Sequence, residues 1–336
     1  MFNFLKRSKS DATAIDKNWP SDELESVSSC PYCHSTQRSL AYKDVQDWSF
    51  YCAPGKWNYW DCTSCEALYL DPRPAERSIG KAYSNYYTHD NGEQSFKQQL
   101  RIRLKNECFS HWLKTNITPR LHIPIIFFTP FNFLKKYIAI PFELPSLVNL
   151  PKGSLLDFGC GNGGKLKLAH QLGWSVKGIE IDPAAVASAQ SQGLDVIHGD
   201  YRMLADYQNT FDCIVCSHVL EHVHEPLVLL QLLSKALKPN GTLLLSLPNS
   251  KSNIRRIFGS SWRGLEAPRH ISLPSTEFLL QYFRNKKTTV FTHNGYKQTT
   301  AMASMAIHNA RDLNVNASTL QAQLGLAKLA VANCFA

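Results

Sequence analysis

Two pairs of cysteines are spaced in a way that suits a metal ion. Two residues separate the members of each pair, and such a tight turn directs two thiolates at one ion. Four thiolates complete a tetrahedral zinc site, so the sequence predicts a small structural module of the zinc-ribbon type. The predicted ligands are Cys30, Cys33, Cys62 and Cys65.

The 28 residues between the two pairs exceed the usual ribbon spacing, which predicts one or two hairpins between them. Three alternatives stay open. CPYC is also a redox sequence of the glutaredoxin type, although the apolar strand expected before it is absent. CPYCH also spells a haem attachment sequence, and the four cysteines can be unrelated to one another.

A second group combines acidic residues with glycines. A strand that runs through a glycine-rich bend into a helix forms a ligand crevice at the carboxyl end of a sheet. Glycine allows the backbone to turn sharply and to approach the ligand closely. The pattern Gly159-x-Gly161-x-x-Gly164 fits this arrangement, and by itself it also fits a dinucleotide fingerprint.

Acidic residues at the ends of three predicted strands narrow the choice of ligand. Asp157 precedes the first glycine by two residues, where a carboxylate can hold an ammonium group. Glu180 follows Gly159 by 21 residues and can bind ribose hydroxyls. Asp200 can accept a hydrogen bond from an adenine amino group. These acids suit a cationic nucleoside with an amino acid tail better than a pyrophosphate.

Five apolar runs alternate with helical patterns in the second half of the chain. Near-continuous apolar strands separated by helices predict a parallel sheet covered on both faces. The predicted strands are 154–160, 175–181, 194–200, 211–219 and 242–249, and the clearest helix is 226–238. The predicted fold class is α/β, doubly wound and Rossmann-like, behind the zinc-ribbon-like module.

Five motifs, in order and spacing, resemble those of the class I methyltransferases that depend on S-adenosylmethionine (SAM). They are LLDFGCGNGG, GIEIDP, GDY, FDCIVCSHVLEHV and LKPNGTLLLSLPN, within residues 150–300. The resemblance implies a sheet of the seven-stranded type with SAM as the cofactor. It implies cofactor contacts from Asp157, Gly159, Cys160, Gly161, Glu180, Ile181, Asp200, Tyr201 and Ser217.

The sequence departs from this family at its end. The family's sheet finishes with an antiparallel hairpin after a glycine–aromatic turn, and HNGYKQTTAMAS supplies that turn and one strand. The tail that follows has a helical pattern. We therefore expect the seventh strand to be missing or atypical, which would leave an unpaired sheet edge.

Methyl transfer needs positioning and, for many acceptors, a group that removes a proton. The candidates are His218, Glu221 and His270. The resemblance implies that His218 lies at the sheet edge facing the methyl group. Glu221 can instead cap and pack the strand-to-helix junction, and His270, which follows Arg269, can instead be a surface contact.

The amino-terminal region adds to the resemblance. The CPYC and CTSC pairs, followed by LYLDPRP and AYSNYYTHD, look like bacterial methyltransferases associated with surface-polysaccharide and sugar modification. This predicts O- or C-methylation of a small acceptor, a sugar or nucleotide-linked glycan precursor. Alternatives are an rRNA or tRNA methyltransferase and a non-catalytic partner module. Many methylases of nucleic acid bases carry an Asn/Asp-Pro-Pro-aromatic run after the fourth strand. This chain has CSHV there, which disfavours a base methylase of that kind.

The net charge of +9 favours anionic partners. We expect an anionic small-molecule acceptor and rank nucleic acid below it. The proline-interrupted apolar stretch 121–150 is a poor candidate for a spanning helix and leaves peripheral membrane contact open. Without a recognisable signal peptide, the expected location is the cytoplasm.

Length and pattern predict five regions. They are a flexible amino terminus (1–29), the zinc-binding module (30–75), a helical, basic and apolar substrate or linker region (76–150), the methyltransferase domain (151–310) and a helical or atypical tail (311–336).

Overall fold

The computed structural model describes residues 15, 17–83, 96–124, 143–287, 300, 301, 303–305, 307 and 308. The chain forms two compact units. The first groups the described residues of Met1–Tyr86, Leu220–Leu227 and Leu247–Ala336, and the second groups those of Tyr87–Val219 and Val228–Ser246.

The second unit contains a five-stranded parallel sheet. Its strands are β6 (Ser154–Phe158), β7 (Ser175–Glu180), β8 (Val196–His198), β9 (Phe211–Ser217) and β10 (Leu237–Ser246). They lie in the order β10-β9-β6-β7-β8, with every neighbouring pair parallel. The α/β prediction and its five strands are confirmed.

The helices that follow β6 and β7 bury apolar side chains, among them Leu166 and Val186, in one core with the sheet residues Leu155 and Val215. The helices are α1 (Phe96–Trp112), α2 (Glu143–Asn149), α3 (Gly164–Gln171), α4 (Pro183–Ser191) and α5 (Pro226–Ala236). The Asp182 side chain caps α4 by accepting hydrogen bonds from the amides of Ala184 and Ala185.

The strand predicted over 242–249 begins earlier in the structure and spans Leu237–Ser246. β10 starts at Leu237, directly after α5, and its pairing with β9 shifts register between Leu237 and Thr242. The turn sequence within this interval includes Asn240 at φ 64°. The helix predicted over 226–238 ends at Ala236, and the residues after it form an irregular start of the strand. The turn and strand predicted from HNGYKQTTAMAS span 293–304. Residues 293–299 lie outside the described part of the chain, and Thr300, Ala301 and Ser304 are helical, so the strand prediction is wrong at these positions. The tail 311–336, where the seventh strand is expected to be missing or atypical, also lies outside the described residues.

The first unit contains an antiparallel four-stranded sheet. Its strands are β2 (Arg38–Val45), β3 (Trp57–Cys62), β4 (Leu68–Leu70) and β11 (Ser272–Leu273), in the order β11-β4-β3-β2. A two-stranded ribbon pairs β1 (Leu24–Glu25) with β5 (Arg73–Pro74). Strands β2 and β3 form the hairpin that the long spacing between the cysteine pairs predicts.

The first unit also contains two short helices, α6 (Asn253–Phe258) and α7 (Thr276–Tyr282). Its main core joins the amino-terminal sheet to much later segments. Trp57, Tyr59 and Leu68 pack there with Trp262 and Leu273. Burial of large aromatic side chains on this scale is a main source of stability for a small sheet.

Candidate functional site

A glycine bend lies at the carboxyl end of β6. Gly159, Gly161 and Gly163 have φ values of 76°, 55° and 82°, which only glycine adopts readily. A Cβ on Gly159 would stand 2.3 Å from Cγ2 of Val219, whereas a Cβ on Gly161 would meet nothing within 4 Å. The backbone at Gly161 therefore borders open space that a ligand can approach closely.

Asp157, in β6, is 1% exposed. Neither of its carboxylate oxygens has a hydrogen-bond partner among the described residues. Burial raises the pKa of this carboxyl to about 7, while the positive charge of Lys165 opposes the rise. A buried carboxylate without a donor is costly. The position suits a cationic ligand group that supplies the missing hydrogen bonds.

A cavity of about 340 Å³ lies beside the glycine bend. Its lining includes Cys160 and Asn162 of the bend, Lys165 of α3, and Glu143 and Leu147 of α2. The Lys165 ammonium lies 3.4 Å from the Glu143 carboxylate. Lys165 follows directly from the glycine motif, but the contribution of Glu143 requires the packing of α2 and has no signal in the local sequence.

Glu180 ends β7 and is tied to the bend. Its Oε2 accepts a hydrogen bond from the Gly161 amide at 2.7 Å, and its Oε1 accepts one from the Asp182 amide at 3.0 Å. Each oxygen keeps lone-pair capacity for another donor. The next residue, Ile181, is 69% exposed and offers an apolar surface beside this carboxylate.

Asp200 follows β8 and caps the 3-10 turn Tyr201–Asp206. Its oxygens accept hydrogen bonds from the Arg202 amide at 2.8 Å and the Arg202 guanidinium at 2.7 Å. The Tyr201 side chain is buried. Asp200 is thus held within its own turn, and its predicted contact with adenine stays a prediction.

Ser217 is the last residue of β9, and His218 follows it directly at the carboxyl end of the strand. Ser217 is nearly buried, and His218 is exposed with φ at 57°. The His218 amide donates to the Ser246 carbonyl of β10 at 2.8 Å. The hydrogen bond fixes the backbone at the end of β9.

The other two predicted proton acceptors lie in the first unit. Glu221 is fully buried in the 3-10 turn Leu220–His222, and His270 is 5% exposed. Burial lowers the pKa of the His270 imidazole to about 4, although the negative charge of Glu266 opposes this. One donor atom each of Glu221, His222 and His270 lies within 4.8 Å of the others, a grouping that the sequence does not reveal.

Two arginines of the first unit, Arg255 and Arg269, are paired with acids. The Arg269 guanidinium is fully buried against Asp47, with 3.1 Å between Nη1 and Oδ2, and lies 3.3 Å from Glu266. Arg255 forms two hydrogen bonds of 2.9 Å to the carboxylate of Asp61. In these positions the guanidinium groups stabilise the first unit.

The four predicted zinc ligands meet at one point. Their sulfur atoms lie within 4.8 Å of one another, and the Cys30–Cys65 and Cys33–Cys62 pairs are each 3.5 Å apart. A tetrahedral zinc ion with bonds of about 2.3 Å requires separations of about 3.8 Å. The hydrogen bond between Cys30 and Cys65 lowers the pKa of Cys30 to about 5 and raises that of Cys65.

The two cysteine turns have the same backbone geometry. The His34 amide donates to the Cys30 carbonyl and the Glu66 amide to the Cys62 carbonyl, both at 2.9 Å. Both His34 and Glu66 have φ of 60°. The matched turns direct two sulfurs each at the common centre, so the arrangement fits a structural metal ion.

Some sequence predictions fall outside the described residues. The AYSNYYTHD motif includes Tyr86, Tyr87 and His89, which lie outside the described residues. Among the described residues, no helix combines the length and apolar character needed to cross a bilayer.

A family model described as "Methyltransferase domain" matches residues 134–286. The match covers less than half of the chain and includes the parallel sheet and the glycine bend. It supports the prediction of a methyltransferase domain over these residues.

Curated relatives support the same conclusion over part of their length. A ubiquinone biosynthesis O-methyltransferase of Xanthomonas campestris pv. campestris (strain B100) is 36% identical over 109 residues, which are 30% of this chain and 46% of that protein. The mitochondrial ubiquinone biosynthesis O-methyltransferase of Schizosaccharomyces pombe is 36% identical over 101 residues, covering 27% of this chain and 36% of that protein. The chain thus spans less than half of each of these relatives.

Among solved structures, an S-adenosylmethionine dependent methyltransferase from Mesorhizobium loti matches with 29% sequence identity and a TM-score of 0.28. The match covers 31% of this chain and 52% of that structure.

Proposed function

We propose that the methyltransferase domain binds SAM at the glycine bend and transfers its methyl group to a small-molecule acceptor. The observation that carries the proposal is the Asp157 carboxylate, which is buried and has no donor among the described residues. The ammonium group of the SAM amino acid tail would supply that donor. The same ammonium would also neutralise a charge that burial disfavours.

Other residues of the bend fit the rest of the cofactor. Glu180 has lone pairs for the ribose hydroxyls and is already oriented by the Gly161 amide. The open space at Gly161 admits the ligand close to the backbone. Ile181 offers an exposed apolar side chain for the adenine face, and Lys165 offers a cation for the tail carboxylate.

SAM, when bound, supplies a methyl group on a positively charged sulfur that is itself the leaving group. The domain then has to orient the acceptor and receive its proton. We assign the proton to His218, because this exposed imidazole follows the end of β9 directly. Glu221 and His270 are both buried, which makes them less suitable for direct exchange with an acceptor.

We propose a hydroxyl group of a small molecule as the acceptor. The two relatives described above are named as O-methyltransferases of ubiquinone biosynthesis, and they support this class without defining the molecule. Sugars and nucleotide-linked sugars are the first group to test, as the amino-terminal sequence motifs indicate. We also propose that the four cysteines hold one structural zinc ion, which the two matched turns support.

Calorimetry with two ligands tests the cofactor assignment. SAM carries the amino acid tail, and 5′-methylthioadenosine lacks it. We expect Asp157→Asn to weaken SAM binding about 10- to 100-fold, the range for a hydrogen bond to a charged group, and to leave 5′-methylthioadenosine binding nearly unchanged. Equal losses for both ligands, or no loss for either, would refute the role of Asp157.

Activity is tested by following S-adenosylhomocysteine formation on a panel of phenols, sugars, sugar nucleotides and RNA. Turnover with a hydroxyl-bearing small molecule supports the proposal, and turnover with RNA alone contradicts it. We expect His218→Gln to reduce kcat while SAM affinity stays unchanged, because the imidazole is assigned to the acceptor proton.

A further inference from the structure

Three side chains in the first unit converge in the way that metal ligands do. Glu221 and His222 come from the 3-10 turn Leu220–His222, and His270 comes from the segment just before β11. His270 Nε2 lies 4.0 Å from Glu221 Oε1, and one donor atom of each residue lies within 4.8 Å of the others. Bonds of about 2.1 Å to a metal place neighbouring ligand atoms about 3.0–3.4 Å apart. Side-chain movements of about 1 Å would therefore close the site.

Backbone carbonyls select the histidine tautomers that a metal requires. His270 Nδ1 lies 2.8 Å from the Gly264 carbonyl oxygen, and His222 Nδ1 lies 3.0 Å from that of Arg269. A carbonyl can only accept, so His270 Nδ1 carries the proton and His270 Nε2 presents a lone pair. His222 Nδ1 also lies 2.9 Å from the Tyr83 hydroxyl. Donation from His222 Nδ1 to the Arg269 carbonyl leaves a lone pair on His222 Nε2 as well. A hydrogen bond from the second ring nitrogen to a carbonyl is the usual support of a metal-bound histidine.

The backbone holds the three ligands on two joined segments. The Ile271 amide donates to the Glu221 carbonyl at 2.9 Å, which links the 3-10 turn to the residue after His270. Strand β11 then pairs with β4, so the His270 segment is fixed to the sheet. Glu221 is fully buried and His270 nearly so. Ligands on such supported segments keep their relative positions, as a selective metal site requires.

The local charge also favours a cation. Arg269 pairs with Asp47 and Glu266, and Arg263 pairs with Glu266. Together with Glu221, these acids outnumber the two arginines by one. Glu266 Oε2 lies 3.7 Å from His270 Nε2 and is close enough to become a fourth ligand.

We propose that Glu221, His222 and His270 bind one divalent transition-metal ion, in addition to the ion assigned to the four cysteines. Two imidazoles and one carboxylate suit Zn²⁺, Fe²⁺, Mn²⁺ or Co²⁺, whereas Mg²⁺ and Ca²⁺ prefer sets of oxygen ligands. The ion would cross-link the 3-10 turn to the 264–271 segment. This site lies in the first unit and does not depend on SAM binding by the second.

Metal analysis of the full chain tests the proposal. The protein, prepared without a polyhistidine tag and with Zn²⁺, Fe²⁺ and Mn²⁺ in the growth medium, is measured by mass spectrometry for metal per chain. We expect two ions per chain in the wild type and one in Glu221→Gln and in His270→Gln. His224→Gln is the matched control and should keep two, because His224 Nε2 bonds to the Pro74 carbonyl outside the cluster.

Cobalt spectroscopy separates ligand loss from misfolding. Titration of the metal-free wild type with Co²⁺ should fill one site with thiolate-to-cobalt charge transfer and a second without it, and Glu221→Gln should remove only the second. One ion per chain, all of it thiolate-bound, would overturn the proposal. A second ion that survives both Glu221→Gln and His270→Gln would overturn it as well. SAM calorimetry on the same samples reports the proposed function independently.

Discussion

The Glu180 carboxylate accepts a hydrogen bond from the Gly161 amide at 2.7 Å and so joins the end of β7 to the glycine bend after β6. Its second oxygen accepts from the Asp182 amide at 3.0 Å, at the start of α4. One carboxylate thus fixes two loops at the edge of the sheet. The side chain is held in position before any ligand arrives, which reduces the entropy lost on binding.

Replacing Glu180 by Gln should weaken SAM binding more than it weakens folding. The amide can accept on one oxygen only, so one backbone hydrogen bond and the charge toward the ribose are lost. We expect the SAM dissociation constant to rise about tenfold or more, as for loss of a charged hydrogen bond. Asp195→Asn removes the same charge from an exposed pair with Lys177 and should leave affinity unchanged. Calorimetry measures both, and equal effects of the two variants would contradict the assignment.

Alanine at two neighbouring glycines should have different consequences. At Gly159 the new methyl group would meet Val219 at 2.3 Å, whereas at Gly161 it would meet nothing within 4 Å. Both positions have positive φ, which costs a non-glycine residue about 1–2 kcal/mol. We expect Gly159→Ala to lower the melting temperature markedly. Gly161→Ala should lower it less but still reduce SAM affinity, because its Cβ enters the ligand space. If Gly161→Ala binds SAM like the wild type, the ligand does not approach this backbone.

Asp157 should make the ligand-free protein less stable as pH rises. Its pKa is raised from 3.8 to about 7 by burial, so the folded state binds more protons than the unfolded state between these values. The free energy of unfolding therefore falls as pH rises through this window. The full loss, at most about 4 kcal/mol, is reached above pH 7. Asp157→Asn should therefore raise the melting temperature at pH 8 while weakening SAM binding.

Asp212→Asn should change the stability at pH 8 in the opposite direction from Asp157→Asn. Hydrogen bonds with Lys238 and Ser154 lower the pKa of Asp212 to about 2, so its contribution is present above the unfolded value of 3.8 and is lost as pH falls through about 2. This variant should lower the melting temperature at pH 8. Thermal melts from pH 4 to pH 8 measure both variants. A destabilised Asp157→Asn at pH 8 would mean that the carboxylate has a donor in the ligand-free protein.

Loss of two thiolates should release the structural metal. We expect Cys62→Ser with Cys65→Ser to lose one zinc ion per chain and to destabilise the first unit, because both residues belong to one of the two matched turns. Cys108→Ser in α1 removes a buried thiol of the second unit and should keep the metal. Metal analysis and thermal melts check these outcomes. A wild-type protein that contains no zinc after expression in zinc-supplemented medium would rule out the zinc assignment.

The sequence predicts the second unit well because its signals are local. Apolar runs identify β6, β7, β8, β9 and β10. The carboxyl ends of β6 and β7 carry the acids, and the residues just after β6 carry the glycines, that mark a cofactor crevice. The cysteine site is equally predictable, since two short turns contain all its ligands. These features depend on a few consecutive residues and on the rule that parallel strands end at one edge.

The first unit is harder to predict because its key contacts join residues far apart in sequence. Arg269 and Asp47 are 222 residues apart, and no spacing rule connects them. Strand β11 has only two residues, too few to show an alternating pattern. The Glu221, His222 and His270 cluster depends on the hydrogen bond from the Ile271 amide to the Glu221 carbonyl. The sequence motifs identify Glu221 and His270 as candidates without grouping them with His222.

The pairing of β4 with β11 also bears on how the protein is made. Leu68 of β4 pairs with Leu273 of β11. Phe278 and Leu227 pack beside the cysteine turns. A ribosome must therefore synthesise more than 200 further residues before the amino-terminal sheet can acquire its outer strand. Until then the cysteine turns of the nascent chain would be exposed to solvent. Metal binding by the four thiols at this stage would protect them during translation.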